Sequence, residues 1–128
     1  MDDPIKEKPC ILVVDDEDVV RDLTATLLRS LGYEAVTAAN GSEALVQFRA
    51  HADRVQLVIL DLTMPDMSGE ECFRALRKID GRVRVVLMSG YVIGREMDEP
   101  GFGTCGILQK PFRINELSAV VKKALQKS

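Results

Sequence analysis

Polar and apolar positions follow two rhythms along this chain, one of strands and one of helices. The run CILVV (Cys10–Val14) and the apolar stretch at 57–60 contain no polar residue and are short, as strands covered on both faces are. Residues 33–38 partly alternate, as an edge strand would, while 83–88 is rich in β-branched residues and broken only by Arg84. A brief strand over 107–109 completes the set. Between them, Val19, Val20, Leu23, Leu27, Leu28 and Leu31 recur at helical spacing and stop at Gly32. Asn40 with Glu43 caps a second helix that carries Ala44, Leu45 and Phe48 and ends near Ala50. Ser68 and Glu71 have the spacing of a capping box, and Phe73, Leu76 and Ile79 mark the buried side of the helix they open, which Gly81 ends. Ile114–Gln126 reads as a last amphipathic helix on Leu117, Val120, Val121 and Leu125. Gly94, Pro100, Gly101 and Gly103 leave room for only a short, weakly encoded helix over 92–99, where mobility is expected.

Five strands alternating with five helices predict an α/β fold with a mainly parallel sheet, right-handed crossovers and helices on both faces. Ligands of such sheets bind outside the carboxyl ends of the strands. Those ends carry Asp15 and Asp16, Asp61, Ser89 and Lys110. Three carboxylates brought together repel one another unless positive charge sits among them, which a divalent cation and Lys110 would supply. Oxygen-only ligands with open positions suit Mg2+, which commonly bridges a carboxylate to a phosphoryl group. Asp61 is then the candidate nucleophile for an acyl phosphate, with Lys110 and the Ser89 hydroxyl holding phosphoryl oxygens.

Length and charge narrow the field further. At 128 residues the chain has the size of one domain: a flexible lead-in over 1–9, whose charges and two prolines offer nothing to bury, then a folded unit over 10–128. Seventeen basic against 20 acidic residues give a net charge of −3 and a pI near 5.2, which argues against nonspecific nucleic-acid binding. Cys10, Cys72 and Cys105 are odd in number and lack C-x-x-C spacing, so they are expected to be free thiols. The charged N-terminus has no apolar signal segment, and no stretch approaches a membrane span, so a cytoplasmic location is expected.

With those residues in place, VVDDED at 13–18, LVILDLTMPDMSG at 57–69, VVLMSGY at 85–91 and LQKPF at 108–112 together resemble the response-regulator receiver domain of two-component signalling. The resemblance covers nearly the whole chain. It implies a flavodoxin-like, doubly wound (βα)5 fold with a parallel sheet in the order 2-1-3-4-5. It makes Asp61 the phosphoacceptor, Asp16 a direct Mg2+ ligand, Asp15 a ligand mainly through water and the Thr63 backbone carbonyl the remaining protein ligand, with Mn2+ as a substitute for Mg2+. Ser89 becomes the hydroxyl that moves toward the phosphoryl group and Lys110 its ion-pair partner, followed by a cis peptide to Pro111. The implied activity is the chain's own phosphorylation and dephosphorylation, without turnover of a metabolite. The implied donor is a sensor or hybrid histidine kinase or a histidine phosphotransfer protein, met by the first helix. Output to a downstream protein passes through the face built by the fourth helix, last strand and last helix, in a monomer or a phosphorylation-dependent dimer.

One position departs from the family. Its members carry Tyr or Phe three residues before the conserved lysine, where this chain has Ile107. Tyr91 is the candidate to take over part of that role or to shield the phosphoryl group from water. The departure keeps open an alternative, a phosphorylation-independent interaction module on the same fold. A haloacid-dehalogenase-type phosphatase would need a second Asp two residues after the nucleophile, where Thr63 stands, and no G-x-G-x-x-G or G-x-x-x-x-G-K-[ST] follows a strand. Other polar residues have ordinary readings. Glu17 and Asp18 suit a solvated helix start, His51 a polar connection, and Lys122, Lys123 and Lys127 a helix C-terminus. Met64, Met67 and Met88 suit packing.

Overall fold

The computed structural model describes residues 8–90 and 106–126. Its elements are β1 (Cys10–Val14), α1 (Asp18–Ser30), β2 (Glu34–Ala38), α2 (Gly41–Ala50), β3 (Val55–Asp61), α3 (Gly69–Ile79), β4 (Val85–Ser89), β5 (Gly106–Gln109) and α4 (Ile114–Gln126). The strands form one sheet in the order β2-β1-β3-β4-β5, and every neighbouring pair is parallel. This is the flavodoxin-like arrangement that the motifs imply. Residues 1–7 of the expected lead-in over 1–9 and the helix expected over 92–99 lie outside the described residues, as does Tyr91. No helix among the described residues is long and apolar enough to cross a membrane.

The unbroken apolar runs are explained by burial on both faces. In β1, Leu12 and Val14 join Val58, Leu60, Val85 and Leu87 against Ala44, Phe48, Phe73 and Leu76 of α2 and α3. Ile11 and Val13 point the other way and join Leu57, Ile59, Val86 and Met88 against Leu28 of α1 and Leu117, Val121 and Ala124 of α4. Strand side chains alternate between faces, so a strand between two helical layers must be apolar at every position. Each buried Leu, Ile or Phe contributes roughly 1.5–3 kcal/mol, which makes these two layers the main source of stability.

Helix ends follow the local chemistry. Asn40 Oδ1 accepts from Glu43 N at 2.8 Å, and the Ser68–Glu71 capping box is complete, with Glu71 N donating to Ser68 Oγ at 3.1 Å and Ser68 N donating to Glu71 Oε1 at 3.0 Å. Beyond α1, Gly32 takes a φ of 98°, a conformation that glycine adopts without strain.

Several strand boundaries differ from the sequence reading by one or two residues. β4 begins at Val85 rather than Val83, because the Val83 amide closes a turn onto the Asp80 carbonyl at 3.1 Å. β3 extends through Asp61, which pairs with Met88 and is buried. The candidate nucleophile is therefore the last residue of the strand, inside the protein.

Candidate functional site

Register brings the polar strand ends together. Val14 pairs with both Ala38 and Leu60, so Asp15 and Asp61 emerge side by side where the chain order reverses between β1 and β3. Asp61 pairs with Met88, and Ser89 pairs with Gln109, which sets Ser89 and Lys110 on the same edge. Lys110 N donates to the Ser89 carbonyl at 2.7 Å, and the peptide from Lys110 to Pro111 is cis.

The side chains then converge on one ammonium. Lys110 Nζ lies 2.8 Å from Asp15 Oδ2, 3.1 Å from Glu17 Oε1 and 3.5 Å from Asp61 Oδ2. Asp15 has no exposure, and its frame is built from local contacts: its amide donates to Ala38 O, its Oδ1 accepts from Glu17 N at 2.9 Å, and its carbonyl accepts from Arg21 Nη1 at 3.0 Å. Asp16 is exposed at the rim. Thr63, also exposed, donates its amide to Asp61 Oδ1 at 3.1 Å. Ser89 is buried at the end of β4.

Burial, above all, pushes the Asp61 carboxyl up to about 6; Thr63 N–H and Lys110 pull it down, and Asp15 raises it. Burial also acts to lower the Lys110 ammonium, but Asp15, Asp61 and Glu17 outweigh it and hold the group above its ordinary value. Carboxylate oxygens of Asp15, Asp16 and Asp61 lie within 4.8 Å of one another. Asp15 Oδ2 is buried without a hydrogen bond, so the ion-pair contact with Lys110 is its compensation. An all-oxygen donor set gathered on three carboxylates fits a hard divalent cation.

Of the residues singled out in the sequence, Asp15, Asp16, Asp61, Thr63, Ser89 and Lys110 lie at this edge, and three that were not singled out join them. Glu17 was read as a solvated helix start, yet its carboxylate is bonded to Lys110. The available signal was Glu at an N-cap position, where Ser, Thr, Asp and Asn are preferred. Arg21 braces the Asp15 carbonyl. Asp66 ties the loop after β3 to the start of α2, accepting from Gly41 N and Ser42 N at 3.0 Å each and from Ser42 Oγ at 2.9 Å. Contacts across 24 or 25 residues leave no local pattern to read. Beside Lys110 and Glu17 opens a groove of about 350 Å³ lined also by Val20, Leu23, Thr24, Pro111 and Phe112.

Comparison with known proteins agrees with this geometry. Residues 11–122 match the response regulator receiver domain family. The chain is 36% identical over 120 residues to the sensor kinase CckA of Brucella abortus, covering 91% of this chain but 12% of that protein. It is 34% identical over 116 residues to sporulation initiation phosphotransferase F of Bacillus subtilis, covering 90% of this chain and 92% of that one. Among solved structures, response regulator protein TrrA of Thermotoga maritima, in complex with Mg2+-BeF, superposes with a TM-score of 0.79 at 38% identity, covering 90% of this chain and 97% of that one. The chain thus spans a small fraction of some relatives and nearly all of others. With its fold, acidic cluster and family match in agreement, this chain belongs to the response regulator receiver domains of two-component signalling.

Proposed function

We propose that the chain is a phosphoacceptor switch in which Asp61 takes a phosphoryl group from a phosphohistidine and thereby changes the chain's protein contacts. The observation that carries the reading is the convergence of buried Asp15 and Asp61 on the Lys110 ammonium. An ionised Asp61 oxygen attacks phosphorus; the P–N bond to the donor imidazole breaks, its electron pair stays on the ring nitrogen, and an acyl phosphate remains on Asp61. Lys110 is within reach to neutralise charge gathering on the phosphoryl oxygens, and the Ser89 hydroxyl is the candidate second donor. Asp15, Asp16, Asp61 and the Thr63 carbonyl would hold Mg2+, or Mn2+ in its place. When bound, that ion would offset carboxylate repulsion and the charge of the phosphoryl group.

The relatives support this reading. TrrA holds Mg2+-BeF, CckA is a sensor kinase, and the Bacillus protein is a phosphotransferase. A sensor or hybrid histidine kinase or a histidine phosphotransfer protein is the matching donor. The exposed Val19 and Leu23 of α1, beside the groove at Lys110, offer it an apolar landing surface. Incubation with a phosphorylated histidine phosphotransfer protein and Mg2+ tests the reading. Label is expected to move to this chain and to be absent from Asp61→Asn. Failure of every histidine donor together with unchanged partner binding by Asp61→Asn would favour the phosphorylation-independent module.

A further inference from the structure

Glu17 occupies the N-cap of α1 but forms no side-chain cap. A residue at that position ordinarily turns its side chain onto the free amides of the first turn. Here the carboxylate instead reaches across the site to accept a hydrogen bond from Lys110 Nζ at 3.1 Å, a contact between residues 93 apart in sequence. Of the three carboxylates around that ammonium, Asp61 is the most distant, at 3.5 Å. Glu17 also differs from the other two in exposure: its side chain is 62% exposed, against 0% for Asp15 and 5% for Asp61. It is the one that can release Lys110 without stranding a buried charge.

Resting on the proposed phosphoacceptor role of Asp61, we infer that Glu17 is a positioning residue that holds the Lys110 ammonium at the Asp15 side of the site and so restrains phosphorylation of Asp61. Transfer from a small acyl phosphate makes an Asp61 O–P bond and breaks the donor's O–P bond, whose electron pair leaves on the carboxylate. Negative charge spreads over the phosphoryl oxygens as this happens, and Lys110 must follow it. The hydrogen bond to Glu17 is lost in that movement. Because the pair is partly exposed, its loss costs little, and the restraint is correspondingly modest.

The test is a double-mutant cycle on the rate of Asp61 phosphorylation by acetyl phosphate at saturating Mg2+, using Glu17→Gln and Glu17→Ala, each with Lys110 present and in a Lys110→Ala background. Both Glu17 variants are expected to react roughly two- to fivefold faster than wild type when Lys110 is present, the effect of losing one partly exposed pair. Neither should gain in the Lys110→Ala background. In the unphosphorylated chain, the Lys110 side-chain ammonium resonance should shift in both Glu17 variants. Equal rates for wild type and the Glu17 variants would overturn the inference while leaving the phosphoacceptor reading intact. A gain that persists without Lys110 would also overturn it, because Glu17 would then act only by repelling the anionic donor. Absence of phosphorylation in every chain would overturn both readings.

Discussion

Lys110 Nζ stands 2.8 Å from Asp15 Oδ2, a carboxylate with no exposure to solvent, and is nearer to it than to Asp61. The ammonium therefore compensates a buried charge in the resting chain before it serves any reaction. Removing one partner of such a pair is costly because the other stays buried. Lys110→Met is expected to lose about 3 kcal/mol in urea unfolding without divalent cation. Saturating Mg2+ should restore much of that loss, by binding the folded chain and supplying positive charge among the carboxylates.

Asp61 carries the opposite liability. Its carboxyl is pushed up to about 6 from 3.8, chiefly by burial, so the folded chain holds this proton more tightly than the unfolded chain does. Below the unfolded value both states are protonated and nothing is lost. As pH rises from about 4 to about 6 the folded state loses stability on account of this group, and above that the penalty is constant. Asp61→Asn is expected to exceed wild type by about 1–3 kcal/mol at neutral pH without metal, and to match it near pH 4. Urea titrations of both chains at the two pH values measure the difference, and Mg2+ should narrow it.

Gly69 opens α3 directly under the candidate phosphoacceptor. A Cβ there would stand 2.6 Å from Leu62 Cα and 2.7 Å from the Asp61 carbonyl, both backbone atoms that cannot swing away. Gly69→Ala is expected to cost about 1–3 kcal/mol of stability, as overpacking does, and to slow phosphorylation by displacing the Asp61 backbone. Thermal melts and a phosphorylation time course read the two effects. At Gly41 the nearest atom is the Met67 sulfur at 2.7 Å, on a flexible side chain, so Gly41→Ala should be the milder substitution.

Asp66 binds the first amides of α2, and hydrogen bonds from Ser42 and Gly41 hold its carboxyl below the ordinary value. A depressed folded value means that its stabilisation is present above the unfolded value of 3.8 and is lost as pH falls through the folded one. Asp66→Ala is expected to lower the urea midpoint at neutral pH, with the difference from wild type shrinking in strong acid. Hydrogen exchange at Gly41 and Ser42 should quicken in the same variant.

Much of this was legible in the sequence because the signals were local. CILVV can only be a strand covered on both sides, Ser68 and Glu71 form the box their spacing describes, and Ile114–Gln126 begins and ends where its periodicity does. The site residues were legible because four strand ends each carried a polar residue, and parallel topology brings such ends to one edge. Val83 was misread because a buried β-branched residue looks the same in a turn as in a strand, and only its hydrogen bond to Asp80 separates the two. Glu17 and Asp66 were missed for a different reason. Their partners lie 93 and about 25 residues away and exist only once the sheet has formed.

The central claim is that Asp61 is a metal-dependent phosphoacceptor. Intact mass after incubation with acetyl phosphate, with and without Mg2+, for wild type and Asp61→Asn, tests it most directly. The account predicts the gain of one phosphoryl group by wild type, dependent on Mg2+ and absent from Asp61→Asn. No gain under rapid quench, or an equal gain in Asp61→Asn, would contradict it.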